Sequence, residues 1–213
     1  MEAPIELYGR MLTLTASGHD PRPRVRLAGG DCTRVPLERW LGDVSESDEL
    51  VVRCATAPVL DVGCGPGRLL AALAAAGKPA LGVDPCAAAV RLARERGVAT
   101  LGSVFDLDAA HGAWATVLLL DGNIGIGASP VVLLRRCGEL LRANGEVVAE
   151  VGPPGTPSHA ATVRLEGAGA VSAWFRWGRV SVDALPSLAD EAGLSLRRTL
   201  HHEGRWFGLL TRP

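Results

Sequence analysis

A loop in the first third of the chain combines glycines with a carboxylate in a pattern that could bind a ligand. It carries Asp61, Gly63, Cys64, Gly65 and Gly67. Glycine lets the backbone approach a ligand closely and adopt positive φ, and the first amides of a following helix point into the space. A carboxylate at this place repels a pyrophosphate and attracts an ammonium group. The loop therefore predicts a small ligand that is cationic where it meets Asp61.

The spacing of the glycines argues against a dinucleotide site. A dinucleotide fingerprint, G-x-G-x-x-G, that starts at Gly63 requires glycine at position 68, and the chain has Arg68 there. This disfavours a nicotinamide-dependent reductase. Cys64 lies inside the loop and could be a nucleophile, but no general base is near it in the sequence, so we interpret it as a small residue packed under the loop.

Alternating apolar runs and helical patterns predict the elements that position this loop. Strands are predicted at 59–62, 79–84, 98–101, 114–121 and 146–151, and helices at 69–76, 86–96 and 130–141. Strands that alternate with helices favour a parallel sheet with helices on both faces. A helix at 183–192 and two strands at 194–200 and 205–211 predict that the sheet closes with an antiparallel hairpin. The predicted fold class is α/β.

Two stretches carry a resemblance to a known family. Val59 to Leu70 resembles motif I of the class I S-adenosylmethionine-dependent methyltransferases, and Leu81-Gly-Val-Asp84 resembles their acidic motif II. The resemblance covers 58–151 in order and spacing, and the closing hairpin fits it. It implies a Rossmann-like, mostly parallel seven-stranded sheet. It also implies S-adenosyl-L-methionine as the cofactor and S-adenosyl-L-homocysteine as its product.

The resemblance also assigns cofactor contacts. It places Asp61 with the amides of Gly63 and Gly65 at the methionine end, and Asp84 at both ribose hydroxyls, since a carboxylate has an oxygen for each. Further cofactor residues implied at the ends of the neighbouring strands are Pro85, Ser103, Val104, Phe105, Asp121, Gly122 and Asn123. Ser103 stands where the family usually has an acid that reads the adenine. Either Asp106 reaches the adenine amino group instead, or recognition depends on the backbone and on packing of Val104 and Phe105.

Methyl transfer from a sulfonium mainly requires positioning, but a hydroxyl or amine acceptor must also lose a proton. Asp121, at the end of the fourth strand, and Glu150, near the end of the fifth, are the predicted catalytic bases. Asp121 could instead order its loop. His159, His201 and His202 are weaker candidates, and neither His19 nor His111 is expected to take part.

Three aromatic residues, Trp174, Phe175 and Trp177, fall where this family places substrate-specific insertions. They could form the wall of an aromatic or apolar acceptor pocket, or pack the insertion onto the core. We therefore divide the chain into a helical and hairpin extension at 1–57, which could act as a substrate lid, and a methyltransferase domain at 58–213 with an insertion around 152–182. In the extension, Arg22, Arg24 and Arg26 alternate and could meet an anionic substrate group or belong to a solvated edge strand.

Composition limits the partners. The 213 residues are 47% hydrophobic, enough for one substantial core, and the net charge of -1 gives no field that would gather nucleic acid. Residues 1–10 lack the pattern of a secretory signal, and no apolar run is long enough to span a bilayer, so a cytoplasmic monomer or homodimer is expected. Five cysteines without a C-x-x-C pair predict free thiols and no metal site.

The predicted function is therefore methylation of a small molecule at an oxygen, nitrogen or carbon. The stretch around Asp121 and the helix after it also resemble small, stand-alone bacterial methyltransferase-like proteins. The alternative is a protein of this fold that binds S-adenosylmethionine or S-adenosylhomocysteine without methyl transfer, as a binding module or as a catalyst of rearrangement or cyclisation.

Overall fold

The computed structural model describes residues 1–107 and 112–213. The strands in this part of the chain are β1 (Arg24–Leu27), β2 (Cys32–Arg34), β3 (Val59–Val62), β4 (Ala80–Asp84), β5 (Ala99–Leu101), β6 (Trp114–Leu119), β7 (Leu141–Val151), β8 (His159–Gly167), β9 (Ala170–Val171), β10 (Phe175–Arg179), β11 (Ser195–His202) and β12 (Arg205–Thr211). The α-helices are α1 (Pro4–Ala16), α2 (Leu37–Leu41), α3 (Glu46–Cys54), α4 (Arg68–Ala75), α5 (Ala87–Ala93), α6 (Pro130–Leu140) and α7 (Leu185–Glu191). His111 lies outside the described residues.

The larger sheet has seven strands in the order β11-β12-β7-β6-β3-β4-β5. Strands β5, β4, β3, β6 and β7 pair in parallel, whereas β12 pairs antiparallel with both β7 and β11. The prediction of a mostly parallel sheet closed by an antiparallel hairpin is confirmed. Strand β7 begins at Leu141 rather than near residue 146, because Leu141 already pairs with Trp114 on β6.

Helices cover both faces of this sheet, as the alternating side chains of its central strands require. On one side Leu60 packs in a buried cluster with Leu133 of α6. On the other side Val59 packs with Val51 of α3 and Leu73 of α4. The prediction of helices on both faces is confirmed, and the sheet forms the centre of the core.

A second, smaller sheet joins the two segments that flank the methyltransferase pattern. Its order is β10-β8-β1-β2, with β9 paired to β8, and its pairs are antiparallel. Strand β1 therefore lies between β2 and β8 and is not a sheet edge. Arg26 on its outer face donates to both oxygens of Glu166, at 2.6 and 3.0 Å, so it does not face a substrate.

The N-terminal helices follow local sequence signals. Helix α1 starts with Pro4 in its first turn, where a missing amide costs nothing. Helix α3 begins with a capping box in which Ser45 accepts from the Asp48 amide and Asp48 accepts from the Ser45 amide.

Candidate cofactor and active site

A cavity of about 790 Å³ lies between the carboxyl ends of the parallel strands and the inner face of the smaller sheet. The carboxyl edge of an open α/β sheet is where ligands bind in this type of fold. The volume is within the range of roughly 300–1,000 Å³ that small-molecule and cofactor sites occupy. The predicted cofactor residues that line it are Asp61, Gly63, Cys64, Gly65, Asp84, Pro85, Ser103, Val104, Asp121, Gly122 and Asn123.

The glycine loop needs its glycines for two different reasons. Gly63, Gly65 and Gly67 have φ values of 70°, 53° and 86°. A Cβ at Gly63 would come within 2.6 Å of Asn123 Nδ2, which donates to the carbonyls of residues 62 and 63 at 2.9 Å. A Cβ at Gly67 would lie 2.8 Å from the Cα of Ala93 on α5. Gly67 is not among the lining residues, so it serves the packing of α4 on α5.

Asp84, at the end of β4, is held by the backbone of the neighbouring loops. Its Oδ2 accepts from the Gly65 amide at 3.0 Å and its Oδ1 from the Cys86 amide at 2.8 Å. Burial raises the pKa of Asp84, and the two amides partly oppose this by lowering it. Each carboxylate oxygen can accept a further hydrogen bond, so the group can still receive two hydroxyls from the cavity.

Asp61, on β3, is a buried carboxylate that is only 2% exposed. Its Oδ2 has no hydrogen-bond partner among the described residues. Burial, followed by the nearby charges of Asp121 and Asp84, raises the pKa of Asp61 to about 7. An unpaired buried carboxylate oxygen is costly, and a ligand ammonium would satisfy it. The site therefore fits the amino group of a cofactor that carries a methionine unit.

Ser103, at the predicted adenine end, uses its side chain within its own turn. Ser103 Oγ accepts from the Phe105 amide at 3.2 Å, so its side chain caps the short turn Val104–Asp106. Neither Phe105 nor Asp106 is among the lining residues, and the Phe105 ring lies against Gly127 instead.

Burial, and then the Asp61 and Asp84 carboxylates, raise the pKa of the Cys64 thiol, which disfavours a nucleophilic role.

The two predicted bases lie in a buried network of charges. Asp121, with φ of 55°, accepts from Arg39 and Arg68, each at 2.6 Å, and lies 3.4 Å from Arg205. Glu150 accepts from Arg205 at 2.8 and 2.7 Å and from the Asp121 amide at 2.7 Å. Both carboxylates line the cavity, but arginine side chains hold their oxygens.

Asp48, a fully buried residue of α3, completes this network. It is bound by Arg68 and, at 2.7 Å, by Arg205. Burial alone would raise the pKa of Glu150, but the hydrogen bonds and charge of Arg205 lower it. A carboxylate stabilised in this way is a poor proton acceptor. The geometry therefore does not support the expected roles of Asp121 and Glu150 as catalytic bases.

The three predicted substrate residues separate into two groups. Phe175 and Trp177 line the cavity, with ring centroids 6.2 Å apart and planes at 89°. Trp177 Nε1 donates to the carbonyl of Gly122 at 3.2 Å. Trp174 is not among the lining residues; it is 41% exposed and lies 4.8 Å from the Arg164 guanidinium. The alternation of side chains along β10 and the residue before it explains this difference.

Several lining residues come from the N-terminal segment, which the sequence suggested only as a possible substrate lid. Tyr8 of α1 and Trp40 of α2 line the cavity, and the Tyr8 hydroxyl is 3.4 Å from the position of a Cβ at Gly65. Val25 and Leu27 of β1 also line the cavity. Their alternation with arginine residues was the sequence signal that could have indicated an apolar inner face. None of the candidate histidines His159, His201 and His202 is a lining residue of this cavity.

The strand order and the acidic strand ends around a glycine cradle are those expected for a class I methyltransferase. Residues 59–145 match a family model described as a methyltransferase domain. This match and the shared fold confirm the resemblance of these residues to the class I S-adenosylmethionine-dependent methyltransferases, the family whose cofactor is S-adenosylmethionine.

Solved structures support the same fold. A methyltransferase from Bacteroides fragilis in complex with S-adenosyl-L-homocysteine is 19% identical, with a TM-score of 0.80 over 99% of this chain and 95% of that chain. The 1,6-didemethyltoxoflavin-N1-methyltransferase of Burkholderia thailandensis is 17% identical, with a TM-score of 0.63 over 100% and 91%. A sugar N-methyltransferase from Streptoalloteichus is 20% identical, with a TM-score of 0.58 over 81% and 88%. At these identities the likeness establishes the fold.

A search among curated protein sequences finds no match to this chain. Among residues 1–107 and 112–213, no helix is both long enough and apolar enough to cross a membrane. In the same ranges no group of three or more His, Cys, Asp or Glu side chains is arranged to hold a metal ion.

Proposed function

We propose that this protein transfers the methyl group of S-adenosylmethionine to a small-molecule acceptor. The observation that carries the proposal is the unpaired, buried Oδ2 of Asp61 beside the glycine loop, within one cavity with Asp84. Two of the similar structures named above are a 1,6-didemethyltoxoflavin-N1-methyltransferase and a sugar N-methyltransferase, which supports an acceptor that is a small molecule.

The residues around the cavity would divide the work of binding. Asp61 would pair with the cofactor's amino group, and Asp84 would accept hydrogen bonds from its ribose hydroxyls. Ser103 and Val104 would lie along the adenine. S-adenosylmethionine supplies a methyl group on a positively charged sulfur, so the protein has little covalent chemistry to perform. Its main contribution is to hold the acceptor in line and to exclude water.

We assign Asp121 and Glu150 a positioning role in place of the role of base. Their bonds to Arg68 and Arg205 connect the end of β6 to α4 and to the closing hairpin. Burial lowers the pKa of Arg68, although the Asp121 carboxylate opposes this effect. The network would keep the loop after β6 in one conformation beside the glycine cradle.

The binding step is tested by titrating the protein with S-adenosylhomocysteine in a calorimeter. Asp84→Asn removes a charged acceptor and is expected to weaken affinity by at least about tenfold. Asp43→Asn, the same change at an exposed position, is expected to have no effect. Equal affinity of Asp84→Asn and the unchanged protein would contradict the ribose assignment.

The transfer step is tested with S-adenosylmethionine that carries a labelled methyl group and a low-molecular-weight extract. Appearance of label in an extracted metabolite is the expected result. Tight binding of the cofactor without any transfer of label would favour a binding protein or a catalyst of rearrangement over a methyltransferase.

A further inference from the structure

We propose that the acceptor is a flat, largely apolar aromatic molecule that lies on the inner face of the smaller sheet, next to the loop after β6. The inference rests on the proposed function, because it names the substrate class of the same cavity. Three features carry it. They are rows of apolar side chains across the strands, the aromatic pair Phe175 and Trp177, and the close packing of this sheet against the loop after β6.

The inner face of the smaller sheet is apolar across three strands. Phe175, Val163 and Leu27 are direct neighbours across β10, β8 and β1. Leu165 and Val25 form the next row, and all five side chains line the cavity. Such a surface is apolar and extends across three strands. It matches a planar apolar molecule in shape and in chemistry.

Among the described lining residues on the strands of this sheet, the polar side chains Thr33, Arg34 and Arg179 lie at its margins. Thr33 follows Val25 across to β2, and Arg179 lies at the end of β10. Trp177 has an indole donor, but Gly122 already accepts its hydrogen. A polyhydroxylated acceptor placed on these rows would therefore leave hydroxyl groups buried without partners. An aromatic acceptor has few such groups, and its ring can pack against Phe175 and Trp177.

The same face reaches the loop after β6, which carries three of the predicted cofactor residues. A Cβ at Gly125 would overlap the Trp177 ring, so the indole packs directly on the loop after β6. Asp121 and Asn123 of that loop lie on the cofactor side of the cavity. On the loop itself, Ile124 and Ile126 are apolar lining residues. A ring held between this loop and the sheet would touch both the apolar wall and the cofactor site.

The ion pairs described above agree with this acceptor class. Arginine side chains hold the carboxylate oxygens of Asp121 and Glu150, and the hydrogen bonds from Arg205 make Glu150 a poor proton acceptor for an aliphatic alcohol. A phenol or an aromatic ring nitrogen loses its proton, or offers a lone pair, much more readily than an aliphatic hydroxyl does. An aromatic acceptor therefore needs less help from a base in the cavity.

The test measures the binding of two probes, 2-naphthol and methyl α-D-glucopyranoside, by calorimetry with and without S-adenosylhomocysteine. We expect 2-naphthol to bind and the glucoside to bind at least about tenfold more weakly. The double variant Val25→Thr/Val163→Thr keeps the volume of both side chains but adds two hydroxyls to the apolar rows. It is expected to weaken 2-naphthol binding by about tenfold without changing the affinity for S-adenosylhomocysteine.

Thr162→Val is the matched control, because Thr162 is exposed and points away from the cavity between two of the same rows. It is expected to leave the binding of both probes unchanged. Equal or tighter binding of the glucoside, absence of 2-naphthol binding, or an unaffected double variant would overturn the inference.

Loss of S-adenosylhomocysteine binding would instead overturn the proposed function. The titration of 2-naphthol without S-adenosylhomocysteine would still decide whether this face prefers an aromatic molecule. The two failures are therefore distinguishable.

Discussion

Arg205 at the start of β12 donates to both carboxylate oxygens of Glu150 on β7, at 2.8 and 2.7 Å. The same guanidinium binds Asp48 at 2.7 Å, so one side chain joins the hairpin, the central sheet and α3. Its side chain is 13% exposed, and the partner carboxylates are buried to a similar or greater extent. Water can do little to stabilise these charges if one of them is removed.

We expect Arg205→Met to lower the free energy of unfolding by about 3 kcal/mol, because it leaves buried carboxylates without their partner. Urea unfolding at pH 7 measures this. The control is Arg34→Met, which removes an exposed ion pair with Glu38 and should cost less than about 1 kcal/mol. Similar losses for the two variants would show that the buried network is not a major source of stability.

The pH dependence of this difference follows from Glu150, whose pKa is lowered from 4.5 by Arg205 although burial opposes the shift. A carboxylate with a lowered pKa in the folded state contributes stability above its unfolded pKa and loses it as the pH falls. The gap between Arg205→Met and the unchanged protein should therefore shrink below pH 4.5.

A second prediction concerns Asp61, whose pKa is raised from 3.8 to about 7, mainly by burial. The folded protein holds this proton where the unfolded chain has lost it, so ionising Asp61 destabilises the unliganded protein as the pH rises from about 4 to about 7. A bound ammonium favours the ionised form. The affinity for S-adenosylhomocysteine should therefore rise by about 20-fold between pH 5.5 and pH 7.5, and binding at the lower pH should release a proton.

Calorimetry in buffers of different ionisation enthalpy measures both quantities. Asp61→Asn should bind weakly, with no pH dependence from this residue, and should be more stable than the unchanged protein at pH 8 in the absence of ligand. A variant that keeps the original pH slope would assign the proton to another group.

A third prediction separates backbone strain from contact at Gly63. Gly63→Ala forces alanine into positive φ and pushes Asn123 away from the two carbonyls that it binds. We expect a loss of about 2–3 kcal/mol in unfolding free energy and weaker binding of S-adenosylhomocysteine. Gly18→Ala is the control, because Gly18 also has positive φ but a Cβ there would touch nothing. It should cost only about 1 kcal/mol, from strain alone.

A fourth prediction concerns Gly125, where a Cβ would meet both the Trp177 indole and the carbonyl of Gly178. Gly125→Ala should lower the unfolding free energy by about 1–3 kcal/mol, as is typical of overpacking. Gly29→Ala has open space around its new methyl group and should be close to neutral. Thermal unfolding compares them, and equal stability would contradict direct packing of Trp177 on this loop.

The parts of this fold that were predictable are those whose signals are local. The run from Val59 through the glycines to α4 contains strand, loop and helix signals within a few residues, and Asp61 and Asp84 both mark strand ends. The N-terminal hairpin was also readable for the same reason.

The parts that were not predictable depend on partners that are distant in the sequence. Asp121 looked like an available base because nothing nearby reveals that Arg39, Arg68 and Arg205 converge on it. Trp174 was grouped with Trp177 as one wall, although the alternation of side chains in an extended segment puts the two on opposite faces. A periodicity of two predicts that side chains alternate but not which of the two faces is the inner one.

The pairing of β1 with β8 has a consequence for how this protein could change its substrate. The proposed cofactor contacts lie on the seven-stranded sheet, whereas much of the opposite wall belongs to a sheet assembled from both flanks of the methyltransferase segment. Replacing residues on β1, β8 and β10 would remodel one wall and leave the other intact. Deleting the first flank alone would expose an unpaired edge of β8 and invite aggregation. The two flanks must therefore be exchanged together, as one unit of specificity.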